Sequence, residues 1–251
     1  MDDVVEDAVE RTPMTTSPPL LLAHRGARRV AAENTLEAFA RAVAMGADGV
    51  ELDVRRTADG ALVVHHDSAP PGGDLIAATT ASALRAARPE IPTLADALDV
   101  CAGLLVNIEI KNSPREPGFD RDERGAEAVV ALLDARGDRD RVIVSSFQLA
   151  TIDRVRAGSA SVPTGFLTVT RADPGTMDRI AGLGHHALHP GRQAMTRRRA
   201  TQIVADAHHR GLQVNVWTVN APATIRRLAE AGVDALITDV PDTARIALGR
   251  S

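Results

Sequence analysis

From about Leu20 onward, short apolar or β-branched runs alternate with segments of helical period. The runs that read as strands are 20–24, 49–54 continued by 62–66, 104–110, 142–145, 164–167, 187–189, 213–218 and 235–237. The segments that read as helices are 34–45, 93–100, 125–135, 149–157, 174–183, 196–210, 222–231 and 243–248. Strands alternating with helices of this length imply βαβ units and a parallel sheet. Eight such units in about 230 residues match a (β/α)₈ TIM barrel, which is the expected fold. A doubly wound open sheet is the alternative, but the G-x-G-x-x-G of its dinucleotide-binding form is absent.

The punctuation supports this reading. Gly46, Gly137, Gly158, Gly184, Gly211 and Gly232 each follow a periodic stretch and are expected to supply left-handed helix caps. Thr93 precedes an apolar run with Asp96 three residues on, an N-cap pattern. The stretch between Ser68 and Arg88 has no clear period, and in a barrel it would be a loop or small cap over the catalytic face. Residues 1–19 are acidic, lack an apolar stretch of signal-peptide type and end in Pro18-Pro19, so a loose tail before a single domain over 20–251 is expected. Met14 is an alternative start.

Composition narrows the function classes. Hydrophobic residues make up 44% and charged residues 25%, a globular balance, and the net charge is −4. This balance gives no basic footprint for nucleic acid, and no run reaches the ~18 apolar residues of a membrane span. Arg197-Arg198-Arg199 reads as a solvated face, and the His185-His186 and His208-His209 neighbours do not share a helix face. The one cysteine, Cys101, sits among apolar neighbours and fits a reducing, cytoplasmic setting. Lys111 is the sole lysine beside 28 arginines. A point charge with three donors in a chain that otherwise uses planar guanidinium forks points to close contact with anionic oxygens.

Barrel chemistry gathers at the C-terminal ends of strands, and those ends are polar here. Glu51 and Asp53 are two apart in one strand and share a face, with Glu109 on the next unit. Three carboxylates so close repel one another, and a hard divalent cation, Mg²⁺ or Ca²⁺, removes the conflict. His24 and His66 end flanking segments and can divide general-base and general-acid work. Arg25 and Lys111 can hold phosphate oxygens. Together these groups suit phosphodiester cleavage.

His24-Arg25-Gly26, Glu33-Asn34-Thr35, Glu51-Leu52-Asp53-Val54, His66-Asp67, Glu109-Ile110-Lys111, Ser146-Phe147, Val216-Trp217-Thr218-Val219-Asn220 and Thr238-Asp239-Val240-Pro241 occur in this order. The ordered set resembles the glycerophosphodiester phosphodiesterase family over Leu20 to the C-terminus. The resemblance implies a TIM barrel of the phospholipase C-like phosphodiesterase type that hydrolyses small glycerophosphodiesters, such as glycerophosphocholine and glycerophosphoethanolamine, to glycerol 3-phosphate and an alcohol. It further implies metal binding by Glu51, Asp53 and Glu109, an acid–base pair of His24 and His66, and phosphate binding by Arg25 and Lys111. By the same resemblance Trp217 shapes the substrate end of the pocket, and Glu33 and Asn34 brace the first loop. Lysophospholipids are the rival substrate class, and a barrel that binds without turnover is the non-enzymatic rival. His189 stands where many members have a smaller polar group, and it either touches substrate or ends a strand.

Overall fold

The computed structural model describes residues 18–170 and 172–250. The expected tail therefore falls, except for Pro18 and Pro19, outside the described residues, as does Met14. Strands β1 (Leu20–His24), β2 (Gly49–Arg56), β4 (Leu105–Ile110), β5 (Val142–Ser146), β6 (Thr164–Thr168), β7 (Ala187–Pro190), β8 (Gln213–Val216) and β9 (Ala235–Thr238) pair in parallel round a ring. The ring closes because β1 pairs with both β2 and β9. A β-strand followed by a helix repeats round it: α1 (Leu36–Ala44), α3 (Leu94–Val100), α4 (Arg124–Arg136), α5 (Leu149–Gly158), α6 (Pro174–Gly182), α7 (Ala200–His209), α8 (Pro222–Glu230) and α9 (Pro241–Ala247). This is a (β/α)₈ barrel.

The segment 62–66 does not continue the second strand. Its β3 (Leu62–Val64) runs antiparallel to β2, with Val54 opposite Val64 and Arg56 opposite Leu62. The reversal comes from the Thr57–Gly60 turn: Thr57 Oγ1 donates to Asp59 at 2.6 Å, and Gly60 takes φ +90°. An apolar run of three reads alike in either direction, so the pattern left the hairpin hidden. The aperiodic stretch after it holds a 3₁₀ turn, Ile76–Ala78, and α2 (Ala81–Ala87). Val63, Ile76 and Leu84 bury a small satellite core there.

The helices start and stop for local reasons. Thr93 and Asp96 form a reciprocal capping box on α3, and Thr35 caps α1. Pro174, Pro222 and Pro241 open α6, α8 and α9, where a missing N–H costs nothing. Gly46, Gly137, Gly184, Gly211 and Gly232 adopt the expected left-handed caps. Gly158 does not; it lies inside α5, and Ser159 caps that helix. Helix α7 starts at Ala200 rather than 196, because Thr196–Arg199 form a turn ahead of it.

Burial falls into two large clusters between the outer face of the sheet and the helices. One centres on Phe39, Leu52, Leu98, Ile108 and Leu133; the other on Met177, Leu188, Val214, Leu228 and Leu236. Besides the satellite core at Ile76, a small apolar group, Leu22, Ala235 and Ile237, lies apart from them. Towards the C-terminal ends of the strands the barrel axis is lined by polar side chains, and these hold the site. Cys101 is fully buried, and burial pushes its thiol up to about 12, so it is an inert core residue.

Candidate active site

Parallel registers bring the carboxylates together. Asp53 on β2 is opposite Glu109 on β4, and Glu51 lies one pleat below Asp53 on the same face. Glu51, Asp53 and Glu109 are 3%, 0% and 8% exposed. One oxygen from each lies within 4.8 Å of the others. Burial, then repulsion from Asp53 and Glu109, raises the Glu51 pKa well above the usual carboxylate range. Glu109 is raised for the same first reason, burial. Asp53 moves the other way: Lys111 and Arg25 outweigh its burial and hold it below the ordinary value.

Two cations lie against this triad. Lys111 Nζ donates to Glu109 Oε1 at 2.6 Å and sits 3.1 Å from Asp53 Oδ1. Arg25 Nε is 3.1 Å from Asp53 Oδ2, and its backbone N–H donates to Glu51 Oε2 at 3.0 Å. The loop that delivers Arg25 is tightly bent. Arg25 and Asn34 both take φ +58°, and Gly26 takes +78°. A Cβ on Gly26 would meet the Ala38 backbone at 2.7 Å, so the chain passes there only without a side chain. Glu33 accepts from Arg25 at 2.8 Å and pairs with Arg28 at 2.5 Å. Asn34 Nδ2 donates to Asp53 Oδ2 at 2.8 Å, which ties the loop to the triad.

His24 Nε2 is 4.0 Å from Glu51 Oε2, and its Nδ1 is 2.6 Å from Asp239 Oδ1. Asp239 is in turn held by Asn220 Nδ2 at 2.6 Å, and its own N–H donates to Asn220 Oδ1 at 2.9 Å. Burial opposes the Asp239 charge, yet its bonds from His24 and Asn220 bring its pKa down to about 2. A charged Asp239 accepts the Nδ1 proton of His24 and leaves the unprotonated Nε2 facing the triad. His66 stands on the hairpin, with Nδ1 2.7 Å from Asp67 Oδ1 and its carbonyl gripped by Arg55 at 2.9 and 2.6 Å. Partial burial and Lys111 lower its pKa, with Asp53 pulling the other way. His65 instead bonds the Asp67 carbonyl.

Trp217 lies just past the end of β8 rather than within it. It donates Nε1–H to the His189 carbonyl at 2.8 Å and meets Phe147 edge to face at 5.4 Å. His189 is fully buried and points along the barrel axis: its Nε2 is 2.9 Å from Asn215 Nδ2, and a Cβ on Gly165 would sit 2.4 Å from that nitrogen. It is out of reach of solvent and of the pocket mouth. The sequence assigned no role to Asp239, Asn220 or Asp67. The signal for Asp239 was its position at the end of the strand that closes the ring beside His24.

The arrangement fits a hard cation. One buried oxygen from each of Glu51, Asp53 and Glu109 lies within 4.8 Å of the others, with more negative charge than Lys111 and Arg25 balance at close range. A sequence profile described as the glycerophosphoryl diester phosphodiesterase family matches residues 24–243. The chain belongs to that family. The phosphodiesterase is similar to the glycerophosphodiester phosphodiesterase of Caldanaerobacter subterraneus, 30% identical over 243 residues that cover 89% of this chain and 95% of the relative. Its fold resembles the glycerophosphodiester phosphodiesterase of Thermotoga maritima, with TM-score 0.74, 30% identity and coverage of 90% and 96% of the two chains. It also resembles an Oleispira antarctica phosphodiesterase solved with the product sn-glycerol-3-phosphate, with TM-score 0.81, 26% identity and coverage of 92% and 97%. The enzyme is a phosphoric diester hydrolase. Among the described residues no helix is long and apolar enough to cross a membrane.

Proposed function

We propose that this phosphodiesterase hydrolyses small glycerophosphodiesters, glycerophosphocholine and glycerophosphoethanolamine among them, to glycerol 3-phosphate and the free alcohol, with one divalent cation, Mg²⁺ or Ca²⁺. The observation that carries this reading is the buried triad of Glu51, Asp53 and Glu109 with Arg25, Lys111 and His24 at its edge. Glu51, Asp53 and Glu109 hold the cation, which supplies charge stabilisation for the phosphoryl oxygens.

The side chains divide the remaining work. Lys111 and Arg25 meet the non-bridging phosphate oxygens and steady the negative charge that grows as phosphorus becomes five-coordinate. His24, oriented by Asp239, takes a proton at Nε2, from water or from the neighbouring glycerol hydroxyl as the nucleophile. His66, oriented by Asp67, gives a proton to the leaving alcohol. Trp217 bounds the substrate end, and Glu33 and Asn34 keep the Arg25 loop in place.

The test is release of glycerol 3-phosphate from glycerophosphocholine and glycerophosphoethanolamine, with EDTA and with each cation restored. Release that EDTA stops and Mg²⁺ or Ca²⁺ restores is the expected result. Release unaffected by EDTA overturns the metal assignment, and no release with any cation overturns the substrate.

One observation favours a second reading, acylated glycerophosphodiesters. A groove of about 360 Å³ near the mouth is lined by Phe147, Leu149, Phe166, Leu167, Val169 and Ile180, with Thr168, Thr170, Thr176 and Arg179 among them. Phe147 also touches Trp217. Faster turnover of lysophosphatidylcholine than of glycerophosphocholine would put this reading first.

A further inference from the structure

The barrel axis beneath the carboxylates is polar, and its polar atoms lack partners. Inward-pointing residues of an eight-stranded barrel stack in layers of four taken from alternate strands. Followed round the ring, the registers put Glu51, Ser145, His189 and Ile237 in one layer, from β2, β5, β7 and β9. Leu22, Asn107, Gly165 and Asn215 form the layer below, from β1, β4, β6 and β8. Asn107 is the register partner of Glu51, and Gly165 that of Ser145. The imidazole of His189 covers Gly165.

Four atoms in these two layers are shut off from solvent and accept or donate no hydrogen bond within the protein: Glu51 Oε1, Asn107 Oδ1, Ser145 Oγ and His189 Nδ1. Native interiors leave few such atoms, and a cluster of them on one axis is the signature of bound water. A cavity of about 610 Å³ opens at the opposite end of the barrel and reaches Leu22, Leu105, Ile143 and Asn215, the floor of these layers.

We propose that ordered water occupies the barrel axis between the two layers and joins Glu51 Oε1 to Asn107, Ser145 and His189. These three are positioning residues: through that water they fix the carboxylate plane of Glu51 and so set how tightly the site takes its cation. The inference rests on the metal role of Glu51 proposed above. A water that spans a carboxylate, a hydroxyl and an amide oxygen has the partners it needs, since its two protons go to Glu51 and Asn107 while Ser145 or His189 donates to its oxygen.

The experiment is calorimetric titration of the metal-free full chain with Mg²⁺ and with Ca²⁺, for the wild type, Ser145→Ala, Asn107→Leu, the double variant and Ser145→Thr. Ser145→Ala removes one atom and keeps the fold, which thermal melting checks. Ser145→Ala and Asn107→Leu are each expected to weaken binding about 10-fold, the lower end for groups that orient a metal ligand from behind. Because both act on the same water, the double variant should bind little worse than either single one. Ser145→Thr keeps the hydroxyl and should bind like the wild type. Wild-type affinity in both single variants, or losses that add in full, would overturn the proposal. A crystal structure showing water on Glu51 Oε1 supports it, and a dry axis overturns it. A wild type that binds neither cation overturns the metal reading of the site itself, a failure distinct from unaltered affinity in the variants.

Discussion

His189 makes acid stability a direct readout of the barrel axis. The ring is fully buried, and burial alone brings its pKa down to about 3. In the unfolded chain a histidine protonates near pH 6.5. Below that pH the unfolded state gains a proton that the folded state refuses, so stability is complete above about 6.5 and is lost as pH falls towards 3. One pKa unit is worth about 1.4 kcal/mol, so the loss from pH 7 to pH 5 is about 2 kcal/mol. For a chain of this size that lowers the melting temperature by about 4–8 °C. His185 and His186 are also held below their usual values by burial, so the wild-type curve alone mixes several groups. The comparison with His189→Gln isolates this one: glutamine can still accept from Asn215 but does not titrate. Melting temperatures of both proteins, metal-free, at half-unit steps from pH 7.5 to 4.5 are the measurement. The variant should lose about 2 kcal/mol less between pH 7 and 5. Parallel curves would refute the reasoning, because they would mean that the folded chain accommodates a charged His189.

Replacing Glu51 or Glu109 with Gln should lower kcat/KM more than about 100-fold and leave a folded barrel, because each change relieves repulsion in the triad; full turnover in either variant counts against the metal assignment. Lys111→Arg keeps the charge but cannot place a fork where Nζ sits 2.6 Å from Glu109 and 3.1 Å from Asp53, and unchanged kinetics would show that a point charge is not required. Asp239→Asn should reduce kcat by about 10²-fold or more with KM little changed, since it removes the charge that fixes the His24 tautomer, and equal losses in KM would indicate a binding role instead. Thr93→Ala breaks the capping box of α3 and should cost about 1 kcal/mol in denaturant unfolding without altering kcat.

The fold was legible because each barrel strand is a short apolar run followed by a helix with its own caps. Glu51, Asp53 and Glu109 were legible for the opposite reason: a buried parallel strand has no use for charge, so a carboxylate at every second position stands out. Asn107 shares that alternation with Glu109 and Lys111, but an amide raises no electrostatic conflict and passed unnoticed. The hairpin at His66 was hidden because three apolar residues carry no direction. Asp239 could not be tied to His24 from spacing, because 215 residues separate them and only the pairing of β1 with β9 makes them neighbours. His189 looked like a strand end beside a proline, and nothing local told of the glycine across the barrel that makes room for its ring.

The bond between His24 and Asp239 joins the first strand of the barrel to the last. A chain emerging from the ribosome has its carboxylates, Lys111 and His66 long before it has residue 239. Until the final strand docks, the imidazole of His24 has no anionic partner to choose its tautomer. With His24 in its proposed role, catalytic competence arrives last in synthesis, and turnover reports that the ring has shut.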